Sequence, residues 1–477
     1  MHSSADRSPE PSRGGFSRRG FLLWSAAAAV AACTDAQPST PPARATAAAS
    51  AAGTTAATSG ASSAATARAA PESPSPRPAT RTLYRDGALA DGRSDRLRLG
   101  VSILVEGGTI RSIRPADDEG DPGSVDGLEI VDASGATFVP GMVDAHSHVT
   151  LPGGAHWIER IGDPPAALLA IAERNARLLT AAGIRWARDV GAPLVEDPAD
   201  GRRRALSLRV RDHWRGQAGY PHLRAAGTWL DRAGTLPGAA HSLEASDADE
   251  LLANATSQLD DGADLLKLYL DGPDPEASPW TAAEIARVVD AAHARGVRVT
   301  AHSSRLRGAR EGVRGGVDAI EHGFQLDAGI VAEMAKRGTF LVSTLAVMHS
   351  WQTFGRTTSL PRFADADAAK AIAAGREAAE ESIRLARTAG VRIAAGTDFG
   401  GGSLRANQLA WEVQAQVAAG LEPWEALAAA TWRGGELLGE PDAGTIREGG
   451  PADFFLVHGD PLADPAALWR VWRVAWA

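Results

Sequence analysis

Val143-Asp144-Ala145-His146-Ser147-His148 is a strand-like run whose end carries two imidazoles one residue apart. Alternate residues of a strand project to one side, so His146 and His148 face the same way. Later runs end alike: Val299-Thr300-Ala301-His302, Ala319-Ile320-Glu321-His322 and Ala394-Ala395-Gly396-Thr397-Asp398. Helix-like segments separate them. Pro165 to Ala182 has helical apolar spacing and stops at Gly183, before a strand from Ile184 to Val190. Thr281-Ala282-Ala283-Glu284 reads as a capping box opening a helix that ends at Gly296, and the strand Val297 to Ala301 follows. Asp365 to Ala389 repeats the pattern, ending at Gly390 before Val391 to Ala395. Repeated βα units predict an α/β protein with a closed (β/α)8 TIM barrel over residues 141–440. In that frame His146 and His148 end the first strand, His302 the fifth, His322 the sixth and Asp398 the eighth, all at the barrel mouth.

The fourth strand carries Lys267, inside Leu265-Leu266-Lys267-Leu268-Tyr269-Leu270. Of 49 basic residues only three are lysine, so this amine stands where arginine serves nearly everywhere else. A buried amine is costly unless its charge is matched or removed. Two readings follow: an ion pair with a carboxylate, or a neutral amine that adds carbon dioxide and becomes an anionic carbamate. Imidazoles and carboxylates gathered at the mouth suit zinc or a similar divalent ion.

Both ends of the body read as strands. Thr82 to Tyr84, Val101 to Gly108, Thr109 to Ile113, Leu128 to Asp132 and Gly135 to Val139 precede the barrel; Gly444 to Arg447, Asp453 to Val457 and Val471 to Ala475 follow it. One small sheet domain built from both termini is expected.

Ahead of the body, Ser17-Arg18-Arg19-Gly20-Phe21-Leu22-Leu23 and the apolar run to Ala32 resemble a twin-arginine export signal, although that motif's final lysine is absent. Cys33, the chain's single cysteine, follows Val30-Ala31-Ala32 as in a lipobox. Residues 1–33 are therefore expected to be a lipoprotein-type signal, with Cys33 the lipidated residue. The Ala/Ser/Thr/Pro segment 34–80 cannot bury enough surface to order itself and reads as a disordered tether. The expected partners are a membrane, through the lipid anchor, and the twin-arginine export machinery, with the protein in the cell envelope. A net charge of −9 argues against a nucleic-acid surface; Arg202-Arg203-Arg204, the dense basic cluster of the body, reads as a solvated helix face.

From residue 82 onward the chain resembles the amidohydrolase superfamily, on Phe138 to His146, Ile320-Glu321-His322-Gly323, Ala395-Gly396-Thr397-Asp398 and Gly450-Pro451-Ala452-Asp453-Phe454-Phe455. It is most similar to the imidazolonepropionase-like group that includes metal-dependent Xaa-Pro dipeptidases. The resemblance implies a barrel carrying a composite β-sandwich, made of residues 82–140 and 441–477. It implies two divalent metal ions, with His146, His148 and Asp398 on one, His302 and His322 on the other, and a carbamate on Lys267 bridging both. A hydroxide held between the ions would attack, with Asp398 as general base passing the proton to the departing amine. Imidazolonepropionases and many deaminases of the superfamily use one metal and lack the bridging lysine, so Lys267 counts against those activities here.

The expected substrate is a dipeptide or N-acyl amino acid. A lactonase, esterase or cyclic amidase on the same scaffold and a non-catalytic anchored binding protein are the alternatives. Tyr269, one step nearer the mouth than Lys267, is a candidate substrate contact. His241 and Arg405 are further candidates, each read first, like His156, as an ordinary structural residue. The loop Gly400-Gly401-Gly402-Ser403-Leu404 is expected to be flexible and to shape a pocket, and Trp351 and Phe354 to offer an apolar wall.

Overall fold

The computed structural model describes residues 81–118, 127–197, 200–236 and 242–476. The segments expected to be an export signal and a tether, Cys33 among them, and His241 lie outside the described residues.

The first five strands are β1 (Arg81–Leu89), β2 (Arg98–Glu106), β3 (Thr109–Pro115), β4 (Leu128–Asp132) and β5 (Ala136–Pro140), the last buried along its whole length. A two-residue turn joins β2 to β3, and both of its residues, Gly107 and Gly108, have positive φ (57° and 77°), as such a hairpin requires. Far along the chain β18 (Phe454–His458) and β19 (Val471–Val474) return to the same sheet, in the order β19-β18-β5-β1-β2-β3, with β4 beside β1. β18 runs antiparallel to β5, pairing Phe454 with Pro140 and His458 with Ala136. Tyr84, Phe138 and Phe454 pack edge to face between them, with ring centroids 5.2 to 6.3 Å apart.

The intervening chain alternates strands and helices. Its strands are β6 (Met142–Ser147), β7 (Ile184–Asp189), β8 (Leu194–Glu196), β9 (Arg203–Ala205), β10 (His222–Ala225), β11 (Trp229–Arg232), β12 (Leu243–Ala245), β13 (Leu265–Tyr269), β14 (Arg298–Ser303), β15 (Ala319–His322), β16 (Phe340–Ser343) and β17 (Ile393–Ala395). β8 and β9 pair antiparallel with each other, and the other ten form two parallel sheets, β10-β7-β6 and β12-β11-β13-β14-β15-β16-β17. Both edges of the smaller sheet are bonded to residues that flank β13 and β17 of the larger. Asp264 N donates to Ala225 O at 2.9 Å on one side; on the other, Ser147 bridges Phe399, and Asp398 N donates to His146 O at 2.8 Å.

The helices form where their sequence signals stand. Thr281 and Glu284 make the reciprocal capping box that opens Ala282–His293, and Gly390 ends Ala366–Ala389 in the left-handed conformation. Strand period then sorts the side chains. Leu266 and Leu268 join the large apolar core, while Lys267 and Tyr269 take the other side.

Two expectations fail. Gly444 to Arg447 is turn and loop, because Gly444 (φ 69°) packs against the Thr431 backbone and the Thr445 hydroxyl bonds back to Asp442 O. Arg202 to Arg204 is no helix face: Arg203 and Arg204 lie on β9, and Arg204 meets Asp197, Asp200 and Asp261 at 2.8, 2.6 and 3.3 Å. Three carboxylates in reach of one guanidinium make a paired strand rather than a free basic patch.

Candidate metal centre

His146 and His148 leave the end of β6, and Asp398 follows β17. The turn that carries Asp398 is fixed from below: Asp144 accepts from Thr397 Oγ1 at 2.6 Å and from Thr397 N at 3.0 Å. Burial pushes the Asp144 carboxyl up to about 7 despite those bonds. Among the described residues Asp86, His322 and Asp398 are the non-glycines with positive φ, and two of the three stand here (69° and 53°). Backbone strain is thus concentrated where the imidazoles and the carboxylate meet.

Hydrogen bonds decide how those groups face one another. His148 Nδ1 lies 2.7 Å from Gly191 O, an acceptor, so this nitrogen is the donor and Nε2 carries the lone pair. His146 Nδ1 lies 2.6 Å from Glu321 Oε2, again an acceptor, with the same consequence. Both Nε2 atoms then point at one oxygen, Asp398 Oδ1, at 3.3 and 3.1 Å. Three acceptors converge, and only protons or a cation between them satisfies all three. The pKa shifts describe the proton solution. Burial disfavours imidazolium at His148, but the Asp398 carboxylate outweighs it and raises the pKa. Burial likewise opposes ionised Asp398, yet His146 and His148 hold its carboxyl well below the usual range. A divalent cation fits the same donor set. The ligand atoms of His146, His148 and Asp398 lie within 4.8 Å of one another, and each imidazole already spends its other nitrogen on an outer acceptor, as metal-binding histidines do.

Two further imidazoles adjoin. The His322 ring lies 4.6 Å from that of His146 and 4.6 Å from that of His302. His302 Nε2 is engaged by Asp271 Oδ2 at 3.2 Å, leaving Nδ1 as its inward nitrogen; His322 Nδ1 is 2.9 Å from Thr344 Oγ1, leaving Nε2. Burial keeps His322 neutral, its pKa well below the usual imidazole value, and His146 and His302 beside it add to the effect. Lys267 is 1% exposed and its Nζ has no hydrogen-bond partner. Burial lowers its pKa to about 8; Glu321 and Asp398 oppose that shift, while Arg188 adds to it. That shift brings the neutral amine, the form that adds carbon dioxide, closer to neutral pH.

The structure places the other candidates unevenly. Tyr269 stacks on His302 at 4.1 Å with ring planes 9° apart, directly beside the cluster. Arg405 is exposed, and His156 is exposed and paired with Glu159. Trp351 and Phe354 pack with Trp157 and Phe363 in an apolar cluster. The triple glycine is not the slack loop expected. A β-carbon at Gly401 would lie 2.2 Å from His148 Cδ2, and one at Gly402 2.6 Å from Asp398 Oδ2. Glycine is needed there because backbone packs directly on the His148 and Asp398 side chains.

Sequence reading missed the outer partners: Glu321, Arg188, Asp271 and Trp229, whose ring lies 5.4 Å from that of His148. Glu321 stands next to His322, and that adjacency was its one sequence signal.

Residues 137–474 match the profile of the amidohydrolase family. An uncharacterized protein of Mycobacterium tuberculosis is 31% identical over 342 residues, which cover 70% of this chain and 82% of its own. The imidazolonepropionase of Chromobacterium violaceum is 28% identical over 394 residues, 77% of this chain and 87% of its own. Among solved structures, a Xaa-Pro dipeptidase with methionine bound in its active site has a similar fold: TM-score 0.69 at 24% identity, covering 82% of this chain and 97% of that one.

Proposed function

The chain belongs to the amidohydrolase family and is a hydrolase of carbon–nitrogen bonds, and we propose that it is a binuclear metal enzyme cleaving the amide of a dipeptide or N-acyl amino acid. The observation that carries this reading is the convergence of His146 Nε2, His148 Nε2 and Asp398 Oδ1, with the unpartnered Lys267 Nζ buried nearby.

His146, His148 and Asp398 would hold one zinc ion and His302 and His322 the second, with Lys267 as carbamate bridging them. When bound, such ions supply a water ionised near neutrality and a Lewis acid for the scissile carbonyl. The chain's own residues do the rest. An Asp398 carboxylate oxygen takes the proton of the attacking water and returns it to the departing amine nitrogen. Tyr269, fixed by its stack on His302, is the candidate substrate contact.

In the same reading the two parallel sheets are arcs of one (β/α)8 barrel over 141–440, supported by the bonds from both edges of the smaller sheet to residues flanking β13 and β17. The sheet shared by the chain's two ends belongs to a composite β-sandwich, residues 82–140 and 441–477. Residues 1–33 act as a twin-arginine lipoprotein signal that leaves the enzyme anchored through Cys33 and the 34–80 tether in the cell envelope.

The test is metal analysis of the full chain together with a library of dipeptides, N-acyl amino acids and lactones. Two ions per chain with turnover of an amide is the expected result. Fewer than two ions, or turnover of lactones alone, overturns it.

A further inference from the structure

Arg188 and Glu321 stand on strands of different parallel sheets, β7 and β15, and meet in the interior with side chains 4% and 0% exposed. Glu321 Oε1 accepts from Arg188 Nη2 and from the Thr300 hydroxyl. Its other oxygen, Oε2, is the acceptor for His146 Nδ1 at 2.6 Å. Arg188 Nε donates in addition to Ala145 O at 2.5 Å, so the guanidinium also grips the backbone beside His146. Strands β6, β7, β14 and β15 are thereby tied to one carboxylate.

We infer that Glu321 is a positioning residue for His146 and that Arg188 holds Glu321 in place for it. Together they fix the imidazole with its proton on Nδ1 and its Nε2 lone pair toward Asp398. The consequence for metal affinity rests on the proposed metal reading; the tautomer itself does not. Three features support the assignment. A carboxylate can only accept, so the Nδ1 proton is obligatory while Glu321 is ionised. The Arg188 guanidinium meets the other carboxylate oxygen directly inside the fold, and a fixed cation in contact favours the charged carboxylate. Finally, a buried ion pair is a poor choice for stability alone, since apolar residues of similar volume often serve as well. Its value here lies in direction: a permanently charged guanidinium keeps the acceptor charged and keeps it aimed at the imidazole.

The experiment uses full-length double variants, which remove both members of the Arg188–Glu321 ion pair together. Arg188→Met with Glu321→Leu removes the pair and leaves His146 Nδ1 without its acceptor. Arg188→Met with Glu321→Gln removes the charges but returns an acceptor oxygen to the same place. Histidine-selective 15N NMR on metal-free protein at pH 9 reads the His146 tautomer, and competition with a chelator reads zinc affinity. The Leu variant is expected to lose the fixed Nδ1–H tautomer and to bind zinc about 10- to 100-fold more weakly. The Gln variant is expected to recover both, to within about threefold of wild type. Thr300→Val is the mild check that folding is not at issue: it keeps both charges, removes one bond to the carboxylate, and weakens zinc by about threefold. Wild-type tautomer and affinity in the Leu variant overturn the inference, and so does failure of Gln to rescue. A wild-type chain that binds no zinc, yet loses its tautomer in the Leu variant, leaves this inference standing and removes the proposed function instead.

Discussion

Two clusters of histidine and aspartate sit at opposite ends of the parallel strands, and they are built for opposite purposes. At the N-terminal ends Asp453 accepts from Arg185 Nε at 2.9 Å on one oxygen and meets His222 Nε2 at 3.2 Å on the other. Its carbonyl accepts from Gly141 N at 2.8 Å. His222 stacks on Trp186 at 4.4 Å, and the Trp476 ring lies 4.2 Å from the Arg185 guanidinium carbon. Each oxygen of Asp453 has a donor. At the C-terminal ends the same residue types leave three acceptors aimed at one another and an amine with no partner. Residue composition does not distinguish a clamp from a reactive centre. Donor–acceptor parity does: a balanced cluster holds the fold together, and an unbalanced one waits for something else to complete it.

Substitutions at the two ends should therefore separate activity from stability. Asp398→Asn has the largest expected effect, about a thousandfold loss of kcat on the best amide substrate. The metal-free protein should stay as stable as wild type or gain, because the amide donates to one of the converging acceptors. Steady-state kinetics and thermal unfolding of the same preparation check both halves. Lys267→Met comes next. We expect metal content to fall below two ions and kcat to fall on the order of a hundredfold. The metal-free variant should be more stable by about 1–3 kcal/mol in urea titration, since an unpartnered buried amine is gone. Gly401→Ala presses a methyl group on the His148 ring. It should weaken zinc binding by about tenfold in chelator competition, with the fold intact.

Asp453→Asn has the smallest expected effect on turnover, with kcat unchanged, and the cost appears in stability. Leaving Arg185 buried without its partner should cost about 3 kcal/mol at neutral pH, read by urea unfolding. Its pH dependence has a definite sign. Burial alone would raise the Asp453 carboxyl, but His222 and Arg185 outweigh it and hold the carboxyl below its ordinary 3.8. The stability it contributes is present above that ordinary value and is lost as pH falls through the depressed folded one. Wild type and Asp453→Asn should therefore converge in acid. Turnover that collapses in Asp453→Asn, or survives in Asp398→Asn, breaks the contrast between the two ends.

Much of this was legible in the chain. The inward set is spelled by strand ends: period two places His146 with His148 and separates Lys267 from Leu266 and Leu268. The isolated lysine stood out because arginine fills nearly every other basic position. What could not be read were partners brought together only by folding. Arg188 and Glu321 lie 133 residues apart and meet because β7 and β15 face one interior. Asp271 closes on His302 across 31 residues for the same reason. Gly400 to Gly402 looked slack because glycine permits slackness. Here it permits close packing, and sequence carries no mark to tell these apart. Gly444 to Arg447 has the alternation of a strand, but a positive φ at Gly444 and a side-chain bond within the segment turn it into a corner.

The pairing of β5 with β18 also has a consequence for biogenesis. The Thr137 hydroxyl bonds to Gly459 O, 322 residues further on, so β5 must wait for more than three hundred further residues to leave the ribosome before its neighbour exists. Until then the edge of β5 is an open template for aggregation. Nascent chains stalled before β18 should accordingly depend on chaperones and be sensitive to proteases, and a late frameshift should be as damaging as an early one.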